Sequence, residues 1–145
     1  MPLETAFSLA GAMATVGWVS LVFLPRWSFG SRFLAPMVVP ALLAIGYGVL
    51  LLPRIFVTDG DFGSLAGVRA LFEVPELLLA GWVHYLAFDL FIGSWEVRDA
   101  QRVGVPHLLV VPCLLTTFLA GPLGLALYLV FRLTKTRSWI DATPA

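Results

Sequence analysis

The sequence is short of charge. Only 12% of its 145 residues are Asp, Glu, Lys or Arg, against about a quarter in an ordinary soluble domain. Nine basic and nine acidic side chains cancel, so no field of one sign points to nucleic acid or to an anionic surface. Two histidines are too few for the ligand sets of membrane di-iron oxygenases and desaturases. A lone cysteine, Cys113, excludes an intramolecular disulfide. It lies in an apolar run, where a free thiol packs as a small buried hydrophobe. No P-loop, GxGxxG, HExxH, GxSxG or CxxC occurs, so nucleotide, zinc-protease, hydrolase and thiol-redox chemistry carry no motif. Repeats and low-complexity stretches are also absent.

What is present is apolar: 59% of the chain is hydrophobic and its mean hydropathy is +0.92. Four stretches, residues 6–24, 33–52, 75–96 and 107–131, come close to the roughly 20 residues that cross a hydrocarbon core. The first ends at Arg26 and Trp27, an interfacial basic and aromatic pair, and Trp139 is a further anchor in the tail. The second carries Pro36 and Pro40 in its opening turns, where a missing N–H costs least. The third opens at Pro75 and its pattern continues to Val103, with Gly104 and Pro106 as the exit. At that length it would run about 43 Å and emerge from the bilayer. The fourth contains Pro112 and Gly121-Pro122, which should bend it.

The sequence therefore predicts an all-α polytopic membrane protein, one domain over residues 1–145 built as a four-transmembrane-helix bundle, with membrane lipids as its surroundings. An even number of spans puts both termini on one side. Arg26, Arg32, Arg98 and Arg102 then face Arg54, Arg69, Arg132, Lys135 and Arg137 across the bilayer. The cluster after the last helix points to termini in the cytoplasm. The acidic N-terminus lacks a basic n-region and reads as the start of a membrane helix, not as a signal peptide. A bacterial inner membrane is the expected location, or a plastid membrane for a trimmed plant-type chain.

In the longest polar interval, Asp59-Gly60-Asp61-Phe62-Gly63 imitates the opening of a calcium loop. The acidic twelfth position would fall on Ala70, so a turn is the expected structure. Ser64 follows as an N-cap for a short interfacial helix over residues 65–72.

Chemistry concentrates in the third helix. Tyr85, Asp89 and Glu96 fall within about 40° of one another at 100° per residue, with Trp82 close by. A carboxylate near the middle of a span costs about 2.5–3.5 kcal/mol on insertion scales, and such groups face the bundle interior. Asp89 is that group; the bland reading is a packing hydrogen bond to another helix. His84 points about 140° away from Asp89, towards a different helix, and could equally serve packing. Glu96 and Asp99 read as headgroup-level or wet, with Arg102 at i+3 from Asp99 as an ordinary solvated pair. His107 reads as an interfacial cap or a ligand. No metal and no cofactor are expected.

A carboxyl in an apolar medium holds its proton near neutrality and can donate it to an oxygen or a double bond while a second base takes one away. Asp89, with His84 or Glu96 as base, would carry such chemistry. Trp82, Tyr85, Phe91 and Trp95 would line the substrate with aromatic faces, together with Asp99 and His107. A non-catalytic pigment- or lipid-binding subunit is the alternative. For it, the small stripe Ala10, Ala14 and Gly17 would serve association with a second copy or an enzyme partner.

Trp82-Val83-His84, Asp89-Leu90-Phe91-Ile92-Gly93, Asp99, Pro106-His107, Pro112 and Gly121-Pro122-Leu123-Gly124 together resemble the abscisic-acid-deficient-four family and its bacterial relatives. Plant members are associated with neoxanthin formation from violaxanthin, in which an epoxide opens and a proton moves with no net redox change. The resemblance implies a carotenoid-like apolar substrate and an isomerase or cyclase activity.

Overall fold

The computed structural model describes residues 2–137, and every regular element among them is helical. Trp139 lies outside the described residues. Helix α1 spans Leu3–Phe23 and a π-helical segment, Gly30–Val38, runs directly into α2, Val39–Leu51. Helix α3, Leu65–Glu73, is followed by α4, Pro75–Val103, then α5, His107–Ala120, and α6, Pro122–Thr136. Among the described residues three helical runs are long and apolar enough to cross a membrane: Leu3–Phe23, Gly30–Leu51 and Pro75–Val103.

Local chemistry explains most of the boundaries. The widened turn before α2 lets Val39 donate five residues back to Leu34, which relieves the carbonyl clash that Pro36 and Pro40 would impose on a regular α-helix. Ser64 caps α3 by accepting from Gly67 N at 2.9 Å. Asp61 Oδ1 closes the preceding turn on the N–H groups of Gly63 and Ser64. Helix α4 starts at Pro75 and stops at Gly104, whose φ of 75° is left-handed.

Helix α4 is the hub and touches every other element. The small stripe Ala10, Ala14 and Gly17 is buried against it within the chain. A Cβ on Gly17 would stand 2.6 Å from Leu90. Gly46 of α2 faces open space instead: a Cβ there meets nothing within 4 Å. Gly46→Ala is accordingly expected to stabilise the fold by about 0.5–1 kcal/mol through helix propensity, read as a small rise in the midpoint of thermal unfolding in detergent.

The fourth span is where structure and sequence expectation part. Residues 107–131 do not form one helix. The backbone reverses at Gly121, φ 42° and ψ −100°, and Pro122 opens a new helix. Helix α5 is 14 residues long, about 21 Å, short of the roughly 30 Å core. Helix α6 then doubles back along it, so closely that a Cβ on Gly124 would lie 2.5 Å from Thr117 Cα. Contacts along α4 confirm the reversal. Phe118 near the end of α5 meets Tyr85, whereas Trp95 and Asp99 of α4 meet Tyr128 and Arg132 of α6, four residues further on in each helix. The element is a helical hairpin whose tip, Gly121, sits against Asp89, the middle residue of α4. Gly124→Ala is expected to destabilise the fold by about 2–3 kcal/mol, because backbone cannot yield as a side chain can; thermal unfolding of the purified protein would read it.

Candidate acid/base site at the hairpin tip

Helix α4 turns three carboxyls towards the α5–α6 hairpin. Asp89, at the middle of α4, is half-buried beside the tip: a Cβ on Gly121 would come within 3.0 Å of its Oδ1. Its Oδ2 is sealed and has no hydrogen-bond partner among the described residues. The Tyr85 hydroxyl, which donates to the Phe118 carbonyl at 2.9 Å, lies beside the same carboxyl. Phe118 O is one of the carbonyls left open at the end of α5, so the tyrosine ties the tip of the hairpin to α4.

Glu96, two turns further on, is fully buried. Thr117 Oγ1 donates to its Oε1 at 2.9 Å, and Oε2 is again sealed without a partner among the described residues. Glu96 and Asp89 are close enough to interact electrostatically. Asp99 is buried as well, and corrects the expectation of a wet surface pair. Tyr128 and Arg132 both donate to its Oδ2 at 2.7 Å, and Arg102 pairs with Oδ1. The hairpin makes the difference by carrying a hydroxyl and a guanidinium onto a face that would otherwise meet headgroups. The result is a polar column in an apolar protein: Asp89, Glu96 with Thr117, then Asp99 with Tyr128 and Arg132.

His84 is not part of it. Its ring stacks on Phe88 at 4.4 Å and lies 5.7 Å from Tyr47 of α2, on the wall of a separate cavity of about 260 Å³ between α2, α3 and α4. His107 is also apart, its Nε2 2.9 Å from the Val22 carbonyl at the end of α1. Phe91 lines an outward groove towards Pro36 and Pro40, whereas Trp95 packs edge-on against Tyr128 at 5.5 Å. Among the described residues no three His, Cys, Asp or Glu side chains gather as a metal-ligand set.

Below the tip the hairpin leaves α4 uncovered. There, Phe7 stacks on Trp82 at 5.8 Å and Trp82 on Tyr85 at 5.3 Å, a ladder of rings that climbs from α1 towards Asp89. A bay of about 430 Å³ lies at its foot, between Leu3, Glu4 and Phe7 of α1 and Pro75, Leu78, Leu79 and Trp82 of α4. That volume is within the usual range of small-molecule sites, about 300–1,000 Å³.

Thr117, Tyr128 and Arg132 were not among the sequence candidates. A signal for two of them exists: Tyr128 and Arg132 fall at i and i+4 on one face of the mostly apolar α6, a polar pair that asks for a buried acidic partner.

Residues 5–128 match the ABA DEFICIENT 4-like (ABA4-like) family. The chain belongs to that family. No curated protein and no solved structure matches it. The matched segment takes in all of α4 and α5, the hairpin tip and Tyr128, so the polar column of this ABA4-like protein lies within the shared region except for Arg132.

Proposed function

We propose that this ABA4-like protein is a membrane acid/base enzyme that isomerises or cyclises a carotenoid-like or other isoprenoid lipid. The observation that carries the reading is the pair of carboxyls, Asp89 and Glu96, each with one sealed oxygen that has no partner among the described residues, stacked on one face of α4 against the hairpin. Buried polar atoms are nearly always satisfied, and intramembrane carboxyls that are not simply paired mark chemistry or transport. Asp89, half-buried above the aromatic ladder, is the group that meets substrate. It gives a proton to a substrate oxygen or double bond. A proton lost from a neighbouring carbon returns to the carboxyl pair, so the reaction needs no oxidant, reductant or co-substrate. Glu96 stands behind Asp89 as the second proton-holding group. Phe7, Trp82 and Tyr85 offer flat faces to an extended polyene and to any cation formed along it.

The test is chromatography of pigments and isoprenoid lipids from cells with and without the gene, with an isomer of unchanged mass expected to appear only in its presence. An identical lipid profile in both strains would sink the enzyme. Loss of an isomer that reappears equally well with Asp89→Asn would point instead to the accessory subunit that binds lipid without transforming it. His84→Phe is expected to leave conversion unchanged, because the ring lies in another cavity; a fall as large as that of Asp89→Asn would return His84 to the site.

A further inference from the structure

The hairpin changes which side of the protein each charge lies on. With a straight fourth span the basic residues divide four against five, and only the cluster after the last helix argues for termini in the cytoplasm. With α6 folded back, Arg132, Lys135 and Arg137 return to the end of α4 and join Arg26, Arg32, Arg98 and Arg102. Only Arg54 and Arg69 remain at the opposite end, and both are paired with carboxylates, Arg54 to Glu76 at 2.6 Å and Arg69 to Glu73 at 3.4 Å. That end also carries Glu4, Asp59 and Asp61. Lys and Arg in short segments flanking spans are retained on the cytoplasmic side, and here seven of the nine lie together.

We propose that the chain crosses the bilayer three times, with its N-terminus and the 52–74 connection on the outer face and both ends of the α5–α6 hairpin on the cytoplasmic face (the stromal face in a plastid). The hairpin is re-entrant, reaching only the midplane. Helix α5 is too short to cross, and the open carbonyls at its end are covered by Tyr85 and α4, the condition under which irregular backbone is tolerated at membrane depth. This topology gives the site two different sides. The Asp99–Arg132 cluster closes the cytoplasmic half of the α4 face, while the bay under the tip opens sideways into the outer leaflet. On the enzyme reading proposed above, an apolar substrate dissolved in the outer leaflet reaches Asp89 laterally, without crossing the bilayer. The sidedness itself holds whether or not the protein is a catalyst.

Single-cysteine versions of the full chain, made in a Cys113→Ala background and expressed in a bacterial inner membrane, test it with a membrane-impermeant maleimide. Val57→Cys is expected to react in intact cells, and Ser28→Cys and Thr134→Cys only after permeabilisation. Reaction of Thr134→Cys alongside Val57→Cys in intact cells would mean a fourth crossing and overturn the hairpin topology. Protection of Val57→Cys with reaction at the other two would overturn the orientation. C-terminal fusions give an independent reading that needs no cysteine: a fluorescent-protein fusion should fluoresce and an alkaline-phosphatase fusion should be inactive, and the reverse result overturns the proposal.

Discussion

Asp89→Asn is expected to lower conversion by a factor of about 10²–10⁴, the usual contribution of a positioned proton donor or acceptor, while leaving the protein folded. The two halves of that expectation have separate physical causes. Oδ2 of Asp89 makes no hydrogen bond with any described residue, so an amide of the same size disturbs at most the contact with the Tyr85 hydroxyl, which itself donates to the Phe118 carbonyl. Gly121 and Tyr85, its neighbours at the tip, meet a side chain of unchanged shape. What disappears is the acidic proton that the carboxyl can give up and take back. Chromatographic assay of the product isomer in membranes, alongside a thermal unfolding midpoint in detergent, reads both. A variant with undiminished conversion would remove Asp89 from the chemistry, and one that lost activity only through unfolding would make it a structural residue.

Asp99→Ala is expected to have the largest effect on stability, a loss of about 3–5 kcal/mol. Removing one member of a buried, hydrogen-bonded charge cluster costs that much because its partners are left where water cannot reach them. Asp99 is the common acceptor of Tyr128 and Arg132, which are buried with it, and the cluster is what fastens α6 to α4. Arg102→Ala is the contrast. Its side chain is 54% exposed, so its pairing with Asp99 is worth no more than about 1 kcal/mol. Thermal unfolding of the two purified variants should separate them clearly; equal midpoints would show that the hairpin is held by its apolar contacts alone.

Much of the fold was legible because its signals are local. Pro75 opening α4 and Gly104 closing it bracket a helix whose bounds, residues 75–103, follow from first-turn and left-handed cap preferences. Ser64 announced α3 in the same way. Asp89 was legible as an anomaly, since a carboxyl in an apolar run is expensive wherever the helix lies. The fourth helix was not. Twenty-five mostly apolar residues read as one bent span, and hydropathy is the same for a helix that crosses as for one that turns back. The decision lies in Gly121 taking a left-handed φ and in Gly124 offering no Cβ against Thr117, and only the packed chain shows what those glycines face.

The same limit explains Asp99. Along one helix its visible partner is Arg102, three residues away, which suggested a solvated pair; Arg132 lies far along the chain and arrives only when α6 folds back. The sequence by itself determined that this is a helical membrane protein with carboxyls in the wrong solvent, because the costs of burying charge and of capping helices are properties of single residues and their near neighbours. The tertiary structure decided which of those carboxyls is neutralised and which is left with an unpartnered oxygen. It also placed His84 outside the column and returned the C-terminal charges to the end of α4. Each of those depends on which groups meet across helices, and that is a matter of packing.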